Sequence, residues 1–172
     1  MHVRIIKSLS FVVLLMAMAI SGSLVHAQMD HSMPPGSTGI TPQPLGGGLP
    51  STAPGLAMGL VRLTYEPGAT LNSHTHPGAS ILYIESGTLT YTLIEGTATV
   101  TRSPADPATP PVTEPLAAGA IELHAGDSLF EDADVIHTAN NAGDEPAVVL
   151  IANLLTADEP VTTFLEDGTP TP

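Results

Sequence analysis

His74-Thr75-His76 sets two imidazoles two residues apart. In an extended strand, residues i and i+2 point to the same face, so both rings converge on one spot. Two neighbouring imidazoles on one face are what a divalent transition metal asks of its first ligands. The chain contains no cysteine, so any metal site here must draw on histidine, carboxylate or amide groups. It also has no disulfide, and a hydrophobic core alone must hold the fold. The other histidines beyond residue 27 are His31, His124 and His137.

The segments that position these residues read as almost entirely β. Thr88 to Ile94 alternates threonines at 88, 90 and 92 with Leu89, Tyr91 and Leu93, the period of a half-buried strand. Leu60–Tyr65, Ile81–Ile84, Ala98–Thr101, Ile121–Leu123, Ser128–Phe130 and Val135–Ala139 add short candidates. Ala147–Leu155 is a longer apolar run, read as buried on both faces. Turn signals separate them, among them Pro67-Gly68, Ser86-Gly87, Ala125-Gly126-Asp127 and Gly143-Asp144. Many short strands at regular spacing imply a sandwich or barrel. Ser103 to Pro115 carries five prolines and is expected to run over the surface, because proline supplies no ladder donor.

The ends differ in character. Arg4 and Lys7 precede an apolar run from Leu9 to Ile20, and Val25-His26-Ala27 closes on small residues. That order describes a secretory signal peptide over residues 1–27, cleaved after Ala27. The run is short of the ~20 residues that cross a bilayer core, so no stable membrane span is expected after cleavage. Residues 28–56 are rich in Pro, Gly, Ser and Thr and read as a flexible linker. Residues 157–172 read as an acidic flexible tail, which leaves 57–156 as one folded domain. Past Ala27 only Arg62 and Arg102 stand against 17 acidic residues, a formal net charge of −15. Such a surface repels nucleic acid and anionic membranes.

Two blocks then stand out. The first is Gly68, five residues, His74-x-His76, three residues, Ser80, six residues, Gly87. The second is Gly126, five residues, Asp132, one residue, Asp134, two residues, His137, three residues, Asn141. They resemble the two sequence blocks of the cupin superfamily. Gly68, His74, His76, Gly87, Gly126, His137 and Asn141 match, while Ser80 stands in place of the family's glutamate, Asp132 of its proline and Asp134 of its glycine. The resemblance covers about Ala57 to Leu155. It implies an all-β, double-stranded β-helix (jelly-roll) barrel holding a metal inside through His74, His76 and His137. It also implies a homodimer paired through edge strands.

Ser80 is the departure with chemical consequences. Serine is uncharged and its hydroxyl is a poor ligand, so the expected site is three neutral imidazoles plus water or substrate. Imidazole suits zinc, iron, copper and nickel, and the missing carboxylate removes the preference for hard ions such as manganese. Ser80 should face inward with Leu82 and Ile84, while Glu85 and Tyr83 take the opposite parity. Glu131, Asp132 and Asp134 read as a solvated acidic turn near the barrel mouth, His124 as exposed, and Asn141 as bonding backbone near a turn.

Two functions fit these features. One is a metal-dependent enzyme, of oxygenase type, acting on a small organic substrate. The other is a non-catalytic module that captures a small ligand or a metal. Met29-Asp30-His31-Ser32-Met33 adds thioether and imidazole donors of the kind that favour copper, beside an ordinary terminal segment as the plainer reading.

Overall fold

The computed structural model describes residues 36–166 together with Thr169–Pro170. The expected leader and the Met29–Met33 segment lie outside the described residues. Strands follow one another as β1 (Ser37–Gly48), β2 (Leu56–Thr75), β3 (Gly78–Ser86), β4 (Thr88–Glu95), β5 (Ala98–Arg102) and β6 (Val112–Leu116). They continue as β7 (Gly119–His124), β8 (Ser128–Glu131), β9 (Ile136–Asn140), β10 (Ala147–Thr156), β11 (Thr163–Glu166) and β12 (Thr169–Pro170). No helix occurs among the described residues, and so none there is long and apolar enough to cross a membrane. The fold is the expected all-β double-stranded β-helix.

The sheet runs β6-β5-β8-β3-β10-β2-β9-β4-β7, with β1 and β11 also paired to β2. Alternation drives its curl. Leu89, Tyr91 and Leu93 of β4 point inward and are buried, as are Leu82 and Ile84 of β3, Val61, Leu63 and Tyr65 of β2, and Leu129 of β8. These side chains form one contiguous core on the concave side.

The long strand β2 serves both halves of the fold. Leu56–Tyr65 pairs with β10, while Thr70, Leu71 and His74 pair with β9. The change of partner happens at Gly68, whose φ of 78° suits a residue without a Cβ. Asn141 fixes this corner. Its Nδ2 donates to the carbonyls of Tyr65 (2.9 Å) and Glu145 (2.8 Å), and its Oδ1 accepts from the Gly143 amide (2.9 Å). The Gly68 amide donates in turn to the Asn141 carbonyl at 3.0 Å. The aspartate at position 134 is accommodated by backbone, since Asp134 takes φ 62°, a conformation Asp adopts more readily than most residues.

Four differences from the sequence reading emerge. Ser37–Gly48, inside the expected 28–56 linker, is a strand laid antiparallel along β2, with Pro42 and Pro44 opposite Leu63 and Val61. Strand β11, inside the expected 157–172 tail, pairs Thr163 and Phe164 with Thr75 and His74. Val112–Leu116 closes the proline-rich excursion as edge strand β6, where Pro115 is tolerated because one side needs no donor. Lastly, β10 is not buried on both faces: Ala152 and Leu154 are exposed. Among the described residues no helical layer covers the outer face of this sheet, so its central strand alternates as the others do.

Candidate metal centre

His74 lies near the end of β2 and pairs directly with His137 on β9. His76 follows one residue beyond β2. The three rings cluster, with centroids 4.1 Å apart for His74 and His137, 4.9 Å for His74 and His76, and 5.5 Å for His76 and His137. One ligand atom from each lies within 4.8 Å of the others. The structure therefore brings together all three residues that the sequence pattern selected.

Each ring is oriented by its surroundings. His74 Nδ1–H donates to the Asn72 carbonyl at 2.7 Å, and His76 Nδ1–H to the Val161 carbonyl at 2.5 Å. A carbonyl can only accept, so both rings carry their proton on Nδ1 and present an Nε2 lone pair. Tyr91 stacks on His137 at 4.8 Å and 20° between planes. His74 Nε2 and His137 Nδ1 are buried with no hydrogen-bond partner. Buried orphan nitrogens are costly, and two of them facing a third imidazole fit a metal cation.

The electrostatics agree. Burial, then the neighbouring His76, lowers the His74 pKa to about 3, against the opposing bond to Asn72. Burial likewise lowers His76, and burial with His74 and His76 nearby lowers His137 well below its usual value. All three are neutral at neutral pH, the form that ligates.

Glu131 is the residue that the sequence reading misplaced. It is not in a solvated turn but on β8, 2% exposed, directly across the ladder from Ser80. Tyr91 donates to its Oε2 at 2.8 Å. Its Oε2 lies 3.6 Å from His137 Nδ1 and its Oε1 3.8 Å from His76 Nε2. Burial raises its pKa to about 7, with the Tyr91 hydroxyl pulling the other way. Strand parity carried the missed signal: Leu129 and Glu131 are i and i+2 on one strand and share the inward face.

The remaining candidates fall where they were expected. Ser80 faces inward with Leu82 and Ile84. Glu85 points outward and pairs with Arg62 at 2.5 Å, Tyr83 is exposed, and His124, Asp132 and Asp134 lie at the surface. The Asp134 amide bonds the His76 carbonyl at 3.3 Å, so this loop still helps to seat the site.

The cupin family profile matches residues 50–167. No curated protein sequence matches the chain. Solved structures similar to it include oxalate decarboxylase from Bacillus subtilis, 25% identical, with a TM-score of 0.44, covering 63% of this chain and 23% of that one. A variant of that enzyme is 27% identical with a TM-score of 0.42, covering 64% and 24%. An uncharacterised conserved protein with a double-stranded β-helix domain from Klebsiella pneumoniae is 21% identical with a TM-score of 0.45, covering 64% and 76%. The matched part of this chain thus spans about a quarter of the oxalate decarboxylase.

Proposed function

The chain belongs to the cupin family, and on that premise we propose that it is an exported protein whose barrel binds a divalent transition metal through His74, His76 and His137 to transform a small organic substrate. The observation that carries the metal assignment is the pair of buried, unpartnered nitrogens on His74 and His137 beside His76. When bound, the metal supplies Lewis acidity and open positions for an anionic or bidentate substrate. The residues around it do the rest. Asn72 and Val161 hold the imidazole tautomers, and Tyr91 holds the Glu131 carboxyl group inside the cluster.

Elemental analysis of the purified chain tests the first part. Stoichiometric zinc, iron, copper or nickel is expected, and His76→Ala should lose it. Metal-free protein, or a His76→Ala variant that keeps its metal, would refute the assignment. Oxygen uptake over candidate substrates with iron-, copper- or nickel-loaded protein then tests the oxygenase reading. The second reading is a binding module that holds a small ligand or handles copper. It predicts a ligand retained through purification that His76→Ala leaves in place. The inward Glu131 favours a built metal centre over an empty barrel, since it places a buried carboxyl group beside the histidines.

Export through residues 1–27 belongs to the same proposal. Amino-terminal sequencing of protein recovered outside the cytoplasm should begin at Gln28. Self-association is proposed with it, and sedimentation should give a dimer mass.

A further inference from the structure

Ser80 and Glu131 are opposite rungs of the β3–β8 ladder, and both side chains are buried. The Ser80 hydroxyl has no hydrogen-bond partner. The Glu131 carboxylate instead faces two of the three imidazoles, at 3.6 Å from His137 Nδ1 and 3.8 Å from His76 Nε2. Neither separation is a hydrogen bond. The first distance involves Oε2 and the second Oε1, so one carboxylate oxygen approaches each imidazole at a range that bonds of about 2.0–2.2 Å to a shared ion could span. The carboxylate is also fixed from behind by the Tyr91 hydroxyl at 2.8 Å, as outer partners fix metal ligands.

We propose that Glu131 is the fourth metal ligand of this barrel, so that the carboxylate absent at position 80 is supplied from the facing strand. The inference rests on the metal reading above. Its consequence is a donor set of three nitrogens and one anionic oxygen. That set accepts harder ions, manganese(II) included, which three imidazoles alone would disfavour.

The test titrates the metal-free full chain with cobalt(II) and with manganese(II), comparing Glu131→Gln and the double variant Ser80→Glu/Glu131→Gln. Affinity is read by competition, ligation by the cobalt d–d absorption, and folding of each apoprotein by its thermal melt. Glu131→Gln should weaken both ions at least about 10-fold, the smallest loss typical even of an outer partner. It should also change the cobalt spectrum. The double variant should recover affinity and spectrum, because position 80 presents a carboxylate across the same rung. Unchanged affinity in Glu131→Gln would overturn the proposal. So would weaker binding with an unchanged cobalt spectrum, which would make Glu131 a positioning residue. If the unaltered chain takes up no cobalt, or His76→Ala takes it up equally well, the metal reading itself fails instead.

Discussion

His74 and His137 are direct cross-strand partners on β2 and β9, with ring centroids 4.1 Å apart. One ladder thus joins the two sequence blocks, and the pairing that closes the corner of the fold also assembles the cluster. The same pairing packs imidazoles together in a dry interior, and the cost of protonating them there is built into the fold.

That cost predicts the acid stability of the metal-free chain. An unfolded histidine takes a proton near pH 6.5, whereas folded His74 resists to about pH 3, and His76 and His137 are lowered too. Above about pH 6.5 they contribute no pH dependence; below it the unfolded state binds more protons, and each histidine costs up to about 1.4 kcal/mol per pH unit. Glu131 opposes them. Its folded pKa of about 7 exceeds the ordinary 4.5, so it makes the native state lose stability as pH rises between those values. His74 and His137, both lowered deeply, already outweigh one carboxyl group, and His76 acts in the same direction. The melting temperature of the apoprotein should climb from pH 5 to 6.5 and then level off, and a flat profile would contradict the buried cluster.

The carboxy-terminal segment should matter to the metal. Val161 supplies the carbonyl that holds His76, and the Phe164 ring lies 5.7 Å from that of His74. Ending the chain after Pro160 removes both. Metal affinity should fall by about 10- to 100-fold while most of the core persists. Competition titration measures it, and undiminished affinity would show that neither contact orients its histidine.

The histidine site was legible from one local pair and from a block pattern that resembles a known family. The i, i+2 parity of His74 and His76 is read from neighbouring residues, His137 and Asn141 were picked out by the resemblance of their block to the cupin pattern, and the eight candidate strand runs all became strands. What stayed hidden depends on partners. Residues 37–48 look like linker because glycine and proline predominate, yet β2 offers them a complete edge to pair with. Phe164 and Val161 sit in an acidic, proline-flanked stretch whose order comes from packing on His74 and His76. Glu131 was obscured by its neighbours: beside Asp132 and Asp134 it looks like part of a charged turn, although the strand ends on it and turns it inward.

Asn141 should be a stability residue rather than a ligand. Its side chain makes three hydrogen bonds to backbone at the Gly68 corner, with the Tyr65 carbonyl among its partners. At about 1 kcal/mol each, more where a buried group is orphaned, Asn141→Ala should cost roughly 3 kcal/mol. Urea unfolding measures this. A loss below about 1 kcal/mol would mean that water replaces these bonds.

Tyr91 joins the core to the metal centre. Its hydroxyl donates to Glu131, and its ring stacks on His137. Tyr91→Phe keeps the stacked ring and deletes only the donor. The bond to Tyr91 holds the Glu131 pKa down against burial, so its loss pushes that pKa further above about 7. With Glu131 as a ligand, metal must then displace a more tightly held proton. Cobalt affinity should drop roughly tenfold at pH 6.5, in line with the strength of a hydrogen bond to a charged group, and by much less at pH 8.5, where the carboxyl is already ionised. An equal loss at both pH values would mean that the Tyr91 hydroxyl orients the Glu131 carboxylate rather than setting its proton affinity, because orientation does not depend on the state of that proton.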